Sequence, residues 1–151
     1  MSTSEAINEA MSKARLCTDI ERVDWLALAD VFERAPLGKR DPATLALSFK
    51  NSQVRCFVYA DNKIIGAGRA LSDGALWTVV FDVVLLPDYQ GLGLGRALMD
   101  SLIAQGGAFN VMLYAAPGKQ PFYAKQDFRL MTTAMARFRD PAGAKARGMI
   151  I

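Results

Sequence analysis

The stretch LLPDYQGLGLGRALMDSLIAQGG, Leu85 to Gly107, decides how this chain is read. An apolar run ends at Pro87, and Gly91, Gly93 and Gly95 then alternate with Leu92 and Leu94. A helical pattern follows from about Gly95 to Gln105. Leu94, Ala97, Leu98, Ser101 and Leu102 share one face, and Gly106-Gly107 stops it. Glycine lacks a Cβ, so its N–H can approach a ligand closely and its φ is free. A loop of such residues at a helix start gathers unpaired N–H groups, and the macrodipole adds partial positive charge. That combination is a phosphate cradle. Arg96 strengthens it, because a cation in the first helical turn opposes the dipole by up to about 1 kcal/mol, a penalty that a phosphate reverses. A tight turn with close helix–strand packing is the alternative use of the same glycines.

Spacing excludes two common nucleotide folds. A dinucleotide fingerprint needs Gly-x-Gly-x-x-Gly, but counting from Gly91 ends on Arg96 and counting from Gly93 ends on Leu98. The P-loop string Gly-x4-Gly-Lys-Ser/Thr is absent.

Working outward, "DWLALADVFERA" places Trp25, Leu28, Ala29 and Phe32 at helical spacing behind Asp24 as N-cap. "DPATLALSFKN" repeats the logic with Asp41 as cap and Pro42 at the first helical position. Residues 4–13 carry Ala6, Ile7, Ala10 and Met11 on one side of a short helix, and Arg15–Thr18 reads as a short strand. "VRCFVYA", "IIGAGRAL" and "ALWTVVFDVVLL" read as successive strands joined by the turns "DNK" and "SDG". "FNVMLYAA" is a strand after the glycine-led helix, "PFYAKQ" a short helix, and "FRLMTTAMARF" a last strand. The expectation is one α/β domain over 1–151. Its mixed sheet has six to seven strands, an antiparallel meander feeding one parallel βαβ unit. Residues 1–14 are an extra or frayed helix and 139–151 a tail.

Composition narrows the chemistry. The chain has 151 residues, a formal charge of +3 and no histidine. Without histidine, Ser-His-Asp and Cys-His catalysis and most zinc sites are excluded, leaving Tyr, Asp, Glu, Lys, Cys or water as acid and base. The charge is mild and dispersed, which disfavours nucleic acid. Cys17 and Cys56 sit in apolar surroundings and read as reduced core thiols. No apolar run reaches the roughly 20 residues of a membrane span. With no secretory signal, the default location is the cytoplasm.

Gln90-x-x-Gly93-x-Gly95, behind an apolar strand and "PDY", resembles the Gln/Arg-x-x-Gly-x-Gly/Ala signature of the GNAT acetyltransferase superfamily. "FYAKQDF" is similar to that family's Phe-Tyr-x-Lys-x-Gly-Phe segment, and the order of elements from Arg15 to Phe138 agrees. The match around the glycines looks closest to small bacterial and plastid acetyltransferases, some acting on arylalkylamines. The resemblance implies an acyltransferase that moves the acetyl group of acetyl-CoA to a primary amine in a ternary complex, without a metal. It implies that the central strands splay and that the main chain of Val83, Val84 and Leu85 pairs with the pantetheine arm. One of those amides then faces the oxyanion that develops on the thioester. The diphosphate is expected on Gln90, Gly91, Leu92, Gly93, Leu94, Gly95 and Arg96, chiefly through main-chain N–H groups.

Tyr123 matches the family's general acid, which protonates the departing thiolate; the plain alternative is an amphipathic tyrosine at a core edge. Asp82 interrupts an apolar strand, where an unpaired carboxylate is costly. It is the candidate base, directly or through water, or else a hydrogen-bonded structural residue. Two positions depart from the family pattern. Phe81 stands where many relatives carry glutamate, and Asp127 stands where glycine is usual, in a left-handed conformation that Asp bears with some strain. Lys119, Lys125 and Arg129 lie near the expected adenosine end, where one could meet the 3′-phosphate; solvated surface charge is the alternative. Trp25, Phe32, Leu37 and Phe49 are available as apolar walls for the acceptor, which favours an arylalkyl or other apolar-tailed amine; ordinary core packing is the alternative for these aromatics. Other readings are a CoA-binding sensor without turnover and acetylation of a protein amine. Dimers are common in the family.

Overall fold

Side-chain caps set the helices of the N-terminal part. The computed structural model describes residues 2–151, and for residues 10–12 the backbone alone. The expected places of Ala10 and Met11 on a helix face therefore lie outside the described residues. Helix α1 (Thr3–Lys13) opens on a capping box: the Glu5 N–H donates to Ser2 Oγ at 3.2 Å and the Ser2 N–H to the Glu5 carboxylate at 2.7 Å. Helix α2 (Trp25–Arg34) is capped by Asp24, which accepts from the Ala27 N–H at 3.0 Å. Helix α3 (Pro42–Lys50) is capped by Asp41, which accepts from the Thr44 N–H at 2.9 Å. The chain forms two compact units, Met1–Leu113 and Tyr114–Ile151.

The first unit holds one sheet of five strands in the order β1-β2-β3-β4-β5: Ala14–Cys17, Val54–Ala60, Lys63–Ser72, Trp77–Leu85 and Asn110–Leu113. The first four are antiparallel neighbours and β5 runs parallel to β4, reached through helix α4 (Leu94–Gly106). The β2–β3 hairpin turns on Asp61 and Asn62, both at positive φ (49° and 63°), as a two-residue loop between twisted strands requires. The sheet is packed on both faces. On one, Phe57 meets Trp25 and Phe49 at ring-centroid distances of 6.0 and 5.4 Å. On the other, Gly68 lets α4 approach: a Cβ there would lie 2.8 Å from Leu102 Cδ1. Phe32, Phe49, Phe57, Leu98 and Leu102 are fully buried. Phe32 and Phe49, for which sequence leaves core or acceptor-pocket wall open, are core, and Trp25 packs on Phe49 at 5.7 Å. Both thiols are free, and burial pushes the Cys56 thiol above its ordinary value, as suits an inert core cysteine.

A polar cluster locks α4 to the sheet. The Ser72 hydroxyl donates to the Gly106 carbonyl at 2.8 Å and accepts from Thr78 Oγ1 at 2.9 Å and the Gly74 N–H at 3.0 Å. Thr78 is fully buried, and this bond satisfies its hydroxyl.

In the second unit, α5 (Gln120–Ala124) carries Pro121 in its first turn, and α6 (Pro141–Ala146) is capped by Asp140, which accepts from the Gly143 N–H at 3.0 Å. Helix α6 lies inside the segment expected as a tail. Asp127 is left-handed at φ 65°, as its place in the Phe-Tyr motif implies. Two expectations change. Five strands are paired among the described residues, not six to seven, and the last strand expected over Phe128–Phe138 is not formed. Residues 129–137 are exposed. Strand composition describes fitness for a pleated, half-buried surface; a ladder partner confers the state itself. Lys119, Lys125 and Arg129 are also exposed.

Two substitutions test this packing. Gly106→Ala would drive its Cβ into Thr78. Helix propensity favours alanine by up to about 1 kcal/mol, but overpacking costs about 1–3 kcal/mol. Urea unfolding should therefore show a net loss of about 1–2 kcal/mol. Asp127→Gly should gain roughly 0.5–1 kcal/mol by relieving the left-handed conformation, less the entropy of the added glycine; an unchanged midpoint would argue that the position carries no strain.

Candidate functional site

The glycine loop departs from the end of β4, and that strand has different neighbours along its length. Its ladder with β3 continues to Leu85, opposite Gly66, and the Leu86 N–H still donates to the Ile65 carbonyl at 2.8 Å. Its parallel ladder with β5 stops at Val80, opposite Leu113. On the β5 side, Phe81–Leu85 therefore lie beyond the ladder. Strand β5 itself ends at Leu113, so the divergence expected from sequence appears here only as an end of pairing, ahead of Val83, Val84 and Leu85.

A 3-10 turn over Pro87–Tyr89 leads from the strand into the loop. The Gln90 side chain turns back and donates to the Leu85 carbonyl at 2.8 Å. It thus braces the strand end against the loop, a contact that the motif alone does not reveal. Gly91 and Gly93 both have positive φ, 76° and 86°, and a Cβ at either would meet nothing within 4 Å. Glycine is needed there for its backbone conformation, and the space above is open. Close packing, the alternative reading of these two glycines, is absent.

Helix α4 starts at Gly93 with no side-chain cap. Among the described residues no protein acceptor takes the N–H groups of Gly91 through Arg96. Arg96 is exposed in the first turn. Consecutive main-chain N–H groups at a helix start, with open space at Gly91 and Gly93 and a cation beside them, fit an anionic diphosphate. Among the described residues no cluster of three or more His, Cys, Asp or Glu could hold a metal ion.

Asp82 lies at an irregularity where β3 and β4 change register: Ala67 faces Val84, whereas Arg69 faces Phe81. Its φ is 55°, uncommon for a non-glycine residue within a strand. The carboxylate carries two guanidiniums. Arg69 Nε donates to Oδ2 at 2.6 Å, and Arg40 Nη2 to Oδ1 at 3.4 Å. Arg69 also donates to Ser52 Oγ at 3.2 Å and lies over the Phe81 ring at 4.9 Å. Arg40, in the α2–α3 connection, lies over the Phe32 ring at 4.8 Å. The carboxylate that interrupts the apolar strand is thus paired. Sequence reading missed both partners. Arg69, alone in "IIGAGRAL", was the available signal, since opposite charges in adjacent apolar strands pair. Arg40 had none.

Tyr123 belongs to the second unit, in α5. Its ring packs edge-on against Phe122 at 4.9 Å and Phe128 at 6.0 Å. Burial pushes its phenol above the usual tyrosine value.

Residues 52–130 match the family model described as an acetyltransferase (GNAT) domain. Serotonin N-acetyltransferase 2, chloroplastic, of Oryza sativa subsp. japonica is 36% identical over 115 residues, covering 72% of this chain and 58% of that protein. Histone acetyltransferase TAP1 of Glycine max is 32% identical over 143 residues, covering 84% of this chain and 56% of that protein. The chain spans a little over half the length of these two relatives. A GNAT-family acetyltransferase of Streptococcus pneumoniae TIGR4 shares the fold, with a TM-score of 0.69 at 21% identity over 83% of this chain and 98% of that one. By its sequence, its topology and its glycine-led helix, the chain belongs to the GNAT acetyltransferase family.

Proposed function

We propose that this chain is an N-acetyltransferase that moves the acetyl group of acetyl-CoA to the primary amine of a small molecule. The observation that carries the reading is the run of N–H groups from Gly91 to Arg96, which find no protein acceptor among the described residues and follow a strand whose pairing with β5 ends at Val80. Bound there, acetyl-CoA supplies an acetyl group activated as a thioester.

In this reading the main-chain N–H groups of Gly91, Leu92, Gly93, Leu94, Gly95 and Arg96 hold the diphosphate. Gln90 fixes the strand end. Main-chain groups of Val83 and Leu85, which flank Val84 and face away from β3, pair with the pantetheine amides, and one N–H of this strand end donates to the thioester oxygen as negative charge grows on it. The amine nitrogen bonds to the acetyl carbon as the carbon–sulfur bond breaks. Tyr123 gives its phenolic proton to the departing sulfur and regains one from solvent. The proton lost by the amine passes to water. Asp82 is already paired with two guanidiniums, which suits it to orienting the amine better than to carrying that proton.

The two named relatives differ in acceptor, one named for serotonin and the other for histone. Lys119, Lys125 and Arg129 remain candidates for the 3′-phosphate. A cytoplasmic location and a homodimer stay part of the proposal; the free thiols of Cys17 and Cys56 agree with a reducing compartment. Among the described residues no helix is long and apolar enough to cross a membrane.

Three outcomes are expected. Calorimetry should show CoA binding that weakens at least about tenfold in Gly93→Ala, because an L-residue resists the left-handed conformation that aims the N–H groups. Tyr123→Phe should lower kcat about 10²- to 10⁴-fold with little change in the KM for acetyl-CoA; full activity would remove the general-acid role. Because burial raises the Tyr123 pKa, its phenol stays protonated below the usual tyrosine value. The rate should therefore rise with pH as the amine loses its proton, with no fall below about pH 10. Tight CoA binding with no turnover on any amine would favour a sensor.

A further inference from the structure

One carboxylate and two guanidiniums meet at Asp82, and the two contacts are unequal. Arg69 and Asp82 are both well covered, at 18% and 17% side-chain exposure, and meet at 2.6 Å. Arg40 is 38% exposed and its contact is 3.4 Å. Arg69 has further partners in Ser52 and Phe81, whereas Arg40, among the described residues, has one hydrogen bond, to Asp82, and a ring beneath it. A guanidinium carries five N–H donors in a fixed fork that fits a carboxylate in two-point fashion. Arg40 therefore holds spare donors on the accessible side of the cluster. It is stacked on a fully buried ring, which limits the ordering that binding would require. An exposed pair of this length contributes little to folding, so its exchange for another partner costs little.

We propose that the preferred acceptor is an amine bearing a carboxylate on the adjacent carbon, an α-amino acid, and that Arg40 selects it. The acceptor's carboxylate takes the Arg40 fork and its ammonium takes Oδ1 of Asp82. One long ion pair is exchanged for two, while Arg69 keeps Oδ2 in place. The arrangement conserves charge: the zwitterion adds none to a cluster that holds one net positive charge. A simple amine must instead displace Arg40 and leave it without a counter-ion, beside an added cation. The ammonium sheds a proton to water before attack, as for any acceptor in the reaction above. The inference rests on that reaction, with Asp82 at the acceptor end, and adds a substrate class to it.

The test uses the full chain with saturating acetyl-CoA and a panel of common free amino acids, each beside its decarboxylated amine, such as tryptophan with tryptamine and tyrosine with tyramine. Thiol release and product mass are read. At least one amino acid should be acetylated with kcat/KM about tenfold or more above its amine, the gap lying in KM, as for one added charge-assisted contact. Arg40→Gln should erase that gap, and Arg40→Lys should keep part of it. Neither should alter CoA binding by calorimetry, or thermal unfolding by more than about one degree, as for a surface substitution. Amines used as well as or better than their amino acids would overturn the inference and leave the acetyltransferase reading standing. So would an amino-acid preference untouched by Arg40→Gln, or acetylation of no amino acid at all. Failure to bind either CoA or acetyl-CoA would overturn both.

Discussion

A strand that ends its pairing with one neighbour five residues before the other is the constraint on which this architecture turns. Strand β4 stays paired with β3 as far as Leu85 but with β5 only to Val80. Backbone donors and acceptors withheld from a ladder are costly when buried and must find other partners. The next segment compounds the demand. It enters a helix through Gly93 with no side-chain cap, so the first-turn N–H groups join those of the strand. Among the described residues, the helix start from Gly91 to Arg96 follows directly on the strand end that β5 leaves unpaired. A molecule with amides at one end and a diphosphate at the other is complementary to the two together.

Elsewhere the fold satisfies its polar groups. Thr78, fully buried, bonds to Ser72, which bonds in turn to the last carbonyl of α4. Ser52, also fully buried, donates to the Ser48 carbonyl at 2.7 Å and accepts from Arg69. Among the described residues no buried side-chain nitrogen or oxygen lacks a partner. The main-chain N–H groups of the glycine loop differ in kind: they lie at a largely exposed helix start and, among the described residues, have no protein acceptor. Asp82 follows the same rule: a carboxylate in an apolar strand is tolerated because Arg69 neutralises it at 2.6 Å.

Much of the fold was legible because its punctuation is local. Asp24 and Asp41 cap their helices through groups three residues away, and the Asp61-Asn62 turn lies between strands that it pairs directly. The glycine loop was legible for the same reason. What escaped depends on partners far along the chain. Residues 129–138 have the composition of a strand but no ladder, and composition does not reveal that. Phe32 and Phe49 look alike in sequence whether they line a pocket or fill a core; the helix faces chose the core. At the site, Asp82 was visible as an intruder among apolar residues. Its partners, 13 and 42 residues upstream, were not.

Phe32 links two properties that a protein usually varies separately. Its ring is wholly enclosed in the core and also carries the Arg40 guanidinium on its outer side. Removing the ring would cost about 3–5 kcal/mol of stability, a large part of what a domain of this size possesses. Over generations, position 40 is thus free to drift while position 32 is not. New acceptor preferences can arise by changing the residue that sits on the platform, with the platform itself inherited unchanged.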